Sequence, residues 1–224
     1  EVNRMAERLP AEATVQDEGP LYSSRARVYP KKVDGLLRQS KTAVLLSILA
    51  LYYALPWLRW DRGPGAPDQA FLIDMPHRRA YFLSLEIWPQ EIYYLAGLLI
   101  MGALGLFLAT SLFGRVWCGF TCPQTLWTDL FMWVERQIEG DRSARMRLDR
   151  SPWTGAKLRL KAAKHAAWIA IALATGGAWI MYFQDAPTLV SEIVSLEVSA
   201  TTLFFIALFS AATYLFAGIA REQV

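Results

Sequence analysis

Cys118 and Cys122 are the only cysteines in the 224-residue chain, and they stand four residues apart in G-R-V-W-C-G-F-T-C-P, residues 114–123. Two thiols at that spacing share one face if they lie at a helix end, where they could hold a metal or exchange electrons. Cys122 directly precedes Pro123, and proline is favoured at the first position of a helix, so Cys122 reads as an N-cap residue. A thiol there meets the positive end of the helix dipole, with Arg115 three residues before Cys118, and both effects favour the thiolate that binds metal. Gly119 leaves room for a cofactor or another backbone to approach. Two thiolates suit a cuprous ion, which is soft and accepts low coordination, and are half of what an iron–sulfur cluster takes. Two small side chains packed at a helix end are the plain alternative for so bare a spacing.

The elements that must position this pair are written in the hydropathy. The chain is 54% hydrophobic and 13% aromatic, with a positive mean hydropathy of +0.22, and its apolar residues gather in four blocks. Residues 42–58, 92–113, 166–183 and 200–220 contain no Asp, Glu, Lys or Arg, and each is long enough for a hydrocarbon core of about 30 Å. The expectation is an all-α membrane protein of four transmembrane helices arranged as two hairpins. Of the 23 Lys and Arg, eight precede the first span and ten lie between the second and third, against four in the first loop and none in the third. By the positive-inside rule both termini and the second loop are cytoplasmic, which predicts a multi-pass membrane protein. The net charge of +3 then reflects topology and needs no nucleic-acid partner.

This pattern divides the chain into a cytoplasmic tail (1–41), a first transmembrane hairpin (42–113) with an external loop at 59–90, a cytoplasmic stretch with the cysteine motif (114–164), and a second hairpin (165–224). The external loop reads as short amphipathic pieces at the outer interface, among Trp57, Trp60, Trp88, Tyr93 and Tyr94, an aromatic belt. After Pro123 the period puts Leu126, Trp127, Leu130, Phe131, Val134 and Ile138 on one helical face, with Thr128, Asp129, Glu135 and Arg136 opposite. The expectation is an amphipathic helix lying flat on the cytoplasmic membrane surface, followed by a basic loop suited to anionic headgroups. The end of the second span, L-F-L-A-T-S-L-F at 106–113, is echoed by L-F-S-A-A-T-Y-L-F at 208–216 with one residue inserted. His77, beside Met75 in the outer loop, is a weak copper-ligand candidate. His165 reads as an interfacial polar residue, and Met101 and Met132 as packing residues.

The stretch G-R-V-W-C-G-F-T-C-P-Q-T-L-W-T-D-L-F-M-W-V-E-R-Q-I-E-G-D-R, residues 114–142, resembles the signature of the CcoG/FixG/RdxA family of cytochrome c oxidase accessory proteins, and the flanking spans and tail fit the same family. A looser form resembles the quinol dehydrogenase membrane subunits of NapH type. The first resemblance implies a membrane redox protein that serves assembly of cbb3-type cytochrome oxidase by reducing Cu(II) to Cu(I), with oxidase subunits or copper-delivery proteins as partners besides the bilayer. It implies that Cys118 and Cys122 are cofactor and metal ligands, of a [4Fe-4S] cluster or of copper as substrate. It also implies a longer protein, with a second C-x-x-x-C-P just past the fourth span. If the two hairpins bring both cytoplasmic exits side by side, four sulfurs could meet there within one chain, or two chains in a homodimer could supply two each. The other readings are a NapH-type subunit passing electrons from quinol to soluble partners, and a non-catalytic scaffold whose cysteines hold a metal for structure.

Overall fold

The computed structural model describes residues 29–31, 35–63, 65–114 and 116–222. Most of the expected tail, and Arg115, lie outside the described residues. Among the described residues, three helical segments are long and apolar enough to cross a membrane: Leu36–Trp57, Pro89–Phe113 and Ala200–Ile219. They contain helices α1 (Leu36–Ala54), α2 (Ile92–Phe113) and, numbered in chain order, α8 (Ala200–Tyr214). Between α2 and α8 lie α3 (Val116–Phe120), α4 (Pro123–Glu139), α5 (Arg142–Arg150), α6 (Gly155–Ile180) and α7 (Ala186–Ser195).

The apolar block expected as a third span is the second half of α6. Thr154 caps that helix, its side chain accepting from Lys157 N–H, and its first half carries Lys157, Arg159, Lys161, Lys164 and His165. Only the part after His165 is charge-free. At 1.5 Å per residue that part covers roughly 22 Å, short of the hydrocarbon thickness. α6 therefore joins a charged half to an apolar half in one rod.

The all-α expectation needs correcting in the loop at 59–90. Strands β1 (Phe71–Asp74), β2 (Arg79–Phe82) and β3 (Leu85–Ile87) form an antiparallel meander in the order β1-β2-β3, with Leu72 opposite Tyr81 and Tyr81 opposite Glu86. Leu72 and Tyr81 are buried, which is the half-buried alternation of a strand. The run is short, and its β-branched content is low, so the alternation reads equally as an interfacial helix fragment. Gln69, fully buried, clasps this sheet to the α6–α7 connection. Its amide donates to the carbonyls of Phe71 and Met181 and accepts from Ala186 N–H. The peptide N–H of Ile73 donates to Tyr182 O.

α4 does not lie flat with its polar side in water. Leu126 packs with Leu45 and Leu49 of α1, while Phe131 and Val134 pack with Trp168 of α6 and Ala217 beyond α8. Its acidic residues Asp129, Glu135 and Glu139 are buried as well, each in an ion pair with another element. The helix is amphipathic in sequence because it has two kinds of neighbour, not because it has one dry and one wet side. α2, in contrast, has no buried residue at all.

α6 and α8 approach most closely at Gly176, where a Cβ would stand 2.8 Å from the Ile206 carbonyl oxygen and 2.9 Å from the Ser210 nitrogen. Those are backbone atoms and cannot swing aside, so small residues are what lets the two helices touch. Gly176→Ala should destabilise the protein by about 1–3 kcal/mol through overpacking, read as a lower detergent melting temperature. Gly177→Ala, where nothing lies within 4 Å, should leave it unchanged; equal melting of both variants would refute the close contact.

Candidate functional site

The cysteines sit on the joint between α3 and α4. Cys118 lies within α3, Cys122 is the residue before α4, and Pro123 occupies the first helical position, as the dipeptide predicts. The joint is fastened by backbone: Cys122 N–H and Thr121 N–H both donate to the Trp117 carbonyl. The Thr125 hydroxyl donates to the Cys118 carbonyl at 2.8 Å. Neither thiol is in a disulfide; Cys118 is exposed and Cys122 half-buried. No side-chain hydrogen bond caps α4 at Cys122, so that sulfur does not serve as the cap acceptor. The motif thus holds its two thiols on a short, backbone-braced elbow.

The depth of this elbow differs from the expected cytoplasmic mouth. α4 runs antiparallel to α1 and α6. At its C-terminal end, Glu139 meets Lys161 and Lys164 of the charged half of α6, and in its first half Asp129 meets Arg38 and Lys41 at the start of α1. Near its N-terminal end, the Trp127 indole donates to the Thr175 hydroxyl at 2.9 Å and meets the Tyr52 ring edge-on. Tyr52 and Thr175 lie toward the sheet end of their helices. The cysteines, a further turn back from Trp127, therefore stand within the depth of the apolar helices rather than beyond their basic ends. In metal-free protein in membranes, a charged maleimide should react with Cys118 and Cys122 at least tenfold more slowly than uncharged N-ethylmaleimide. Equal rates would place the pair in water.

The end of the last helix lies beside the elbow, where the Gln124 side-chain amide donates to the Phe216 carbonyl at 3.0 Å. Beyond it, the Arg221 guanidinium donates to Glu135 at 2.7 Å. Glu135 lies 13 residues beyond Cys122 on α4, about 20 Å along a helix at 1.5 Å per residue.

Around Glu135 is a cluster that sequence reasoning missed. Glu135 pairs with Arg145 at 3.0 Å, Lys164 at 3.5 Å and Arg221 at 2.7 Å. Glu139 pairs with Lys164 at 2.9 Å and Lys161 at 3.0 Å, and Lys161 reaches Asp149 at 2.8 Å. Burial pushes the Glu135 carboxyl upward, and Arg221, Lys164 and Arg145 more than offset it, holding it below its ordinary value. Burial pulls Lys161 down, and Asp149 and Glu139 more than restore it, leaving its ammonium above its ordinary value. The available signal was the Glu135/Glu139 spacing on α4 set against Lys161/Lys164 on α6, one helical turn in each case. The Arg221 partner, 86 residues away, had no local signal.

The histidines take modest places. His77 closes the β1–β2 turn, its Nδ1 2.7 Å from Asp74 Oδ2, and is largely exposed. His165 Nδ1 lies 2.8 Å from the Tyr214 hydroxyl, beside Trp168. Neither is brought to the cysteines. Among the described residues no three His, Cys, Asp or Glu side chains are gathered to hold a metal. The donors present fit half of a four-thiolate set: two soft sulfurs, with no third or fourth ligand among the described residues. An apolar cavity of about 410 Å³ adjoins the elbow, lined by Pro123, Gln124, Trp127, Tyr52, Trp179 and Phe216 among others.

Comparison with known proteins puts this elbow in context. Residues 95–139, which include both cysteines, match the family described as a 4Fe-4S binding domain. The nitrogen fixation protein FixG of Rhizobium meliloti is 56% identical over 206 residues, 92% of this chain and 39% of the relative. Protein RdxA of Cereibacter sphaeroides is 51% identical over 92% of this chain and 44% of its own length, and protein RdxB of the same organism is 52% identical over 91% and 43%. The chain thus spans about two-fifths of the length of the curated relatives it matches. No solved structure matches it.

Proposed function

Because the chain belongs to the FixG/RdxA family over nine-tenths of its own length, we propose that it is the membrane-embedded part of an iron–sulfur redox protein that reduces Cu(II) to Cu(I) for a cbb3-type cytochrome oxidase. The observation that carries this reading is the braced Cys118–Cys122 elbow inside the 4Fe-4S-matching segment. A [4Fe-4S] cluster, when bound, supplies one-electron transfer. This chain's residues contribute two thiolates to it, and the Trp117 carbonyl and Thr125 hydroxyl fix the backbone on which those sulfurs sit. The remaining two sulfurs come from the longer protein or from a second copy. Cupric ion is the substrate, gaining one electron to become cuprous.

In this reading the protein is a multi-pass protein of the bacterial inner membrane with α6's basic half cytoplasmic, supported by the charge asymmetry. A second reading, quinol dehydrogenation for soluble partners, draws support from the apolar cavity beside Pro123, whose size suits an aromatic head group. The experiment is anaerobic reduction of Cu(II) by the reduced full-length protein, followed with a cuprous chelator. The proposal expects stoichiometric cuprous ion, falling at least tenfold in Cys118→Ser. No cuprous ion from a protein that oxidises quinol would give the second reading preference.

A further inference from the structure

A second cavity, of about 620 Å³, opens at the basic end of the bundle, some turns from the cysteine elbow. Its walls include Lys157, Lys161, Lys164 and Arg221, with Asp149 as the single carboxylate among its lining residues and Trp153 at its edge. Glu135 and Glu139 stand behind these cations and are not part of the wall. Among the described residues the cluster holds five cations, Lys157, Lys161, Lys164, Arg145 and Arg221, against three carboxylates, Glu135, Glu139 and Asp149. Two positive charges are left over.

The surplus is located. Lys157 Nζ has no carboxylate; it donates to the carbonyls of Asp149 and Ser151 at 3.0 and 2.7 Å and lies over the Trp153 ring. Arg221 gives one nitrogen to Glu135, while its Nη1 is buried and without a hydrogen-bond partner, in a side chain only 10% exposed. A buried guanidinium nitrogen left without an acceptor is costly. A cavity edged by ammonium and guanidinium donors over indole faces fits a compact oxyanion, and a phosphate takes such donors on several oxygens at once. The cavity sits where the charged half of α6 gives way to its apolar half, the level of a lipid head group.

We propose that this cavity binds a phosphate-bearing anion, the head group of an anionic phospholipid or a soluble phosphate, held by Lys157, Lys161 and Arg221. The site is separate from the redox reading, since it contains neither cysteine. In the protein it ties α6 to the end of the last helix around one anion.

The test uses the full-length protein in nanodiscs, with melting followed by intrinsic fluorescence. Phosphatidylglycerol should raise the melting temperature by several degrees over phosphatidylcholine, and Lys157→Gln should remove at least half of that rise, because Lys157 contributes charge without breaking any carboxylate pair. Lys157→Arg should restore it, which separates lost charge from lost packing. If millimolar inorganic phosphate in phosphatidylcholine gives the same protection, and Lys157→Gln weakens it, the ligand is a soluble phosphate. An unchanged melting temperature in all conditions, or a rise undiminished in Lys157→Gln, would overturn the proposal. If Lys157→Gln does not insert, Lys161→Gln is read in the same way, with the same two outcomes.

Discussion

Replacing Cys118 or Cys122 by serine should strip the full-length protein of the cluster proposed for this elbow, while leaving its insertion into the membrane intact. Serine keeps the size and loses the soft thiolate, and loss of one of four sulfurs removes most of the stability of an iron–sulfur centre. The backbone that positions the elbow runs through the Trp117 and Cys118 carbonyls, so it survives both substitutions. Iron per protein should fall by one cluster's content in each single variant, and no further in the double variant. The 224-residue chain by itself should bind no cluster as a monomer, because it holds only two cysteine thiols. Undiminished iron in the double variant would show that the thiols merely pack.

The largest stability effect belongs to Glu135→Gln. Removing one partner from a buried ionic group leaves the others uncompensated, at a cost of about 3–5 kcal/mol. Here the others are Arg145, Lys164 and Arg221, drawn from three separate segments, so the melting temperature should fall by roughly 10 °C. Glu135→Gln/Arg221→Gln should recover part of the loss, since it removes a stranded charge with its partner. The same carboxylate makes the fold acid-sensitive. Its folded value lies below its unfolded one, so its contribution is complete above the unfolded value of about 4.5. It is lost as pH falls through the folded value. Melting in Glu135→Gln should accordingly depend less on pH below 4.5 than in the parent protein; the same acid dependence in both would mean that another group is responsible.

Much of this architecture is legible in the amino-acid sequence. Charge-free length marks α1, α2 and α8, and Cys-Pro marks the start of α4, because bilayer thickness and the missing proline N–H act on local sequence. The small sheet is not legible, since Phe71 to Ile87 is stabilised by what lies beneath it, the clasp of Gln69 above all. The polar side of α4 misleads for a related reason. Periodicity reveals that a helix has two faces but not what each face meets. Glu135 and Glu139 look like solvated charges until Lys164 and Arg221 are brought up to them from far along the chain.

The last helix does not stay α-helical. Residues Leu215–Ile219 form a π-helix, and its Gly218 faces Trp168, where a Cβ would lie 3.3 Å from the ring. A π turn is how a helix swallows one extra residue without rotating everything that follows. The block at 208–216 carries one more residue than its echo at 106–113, and the wide turn lies within a few residues of that surplus. Each residue of an α-helix advances the chain by about 100°. Deleting a single residue there should relax the wide turn to an ordinary α turn and leave Gly218 and Arg221 facing Trp168 and Glu135, whereas without the wide turn the extra residue would swing them by about that angle. The last helix thus carries one residue more than its echo and keeps its phase, and it is the kept phase that holds Arg221 against Glu135.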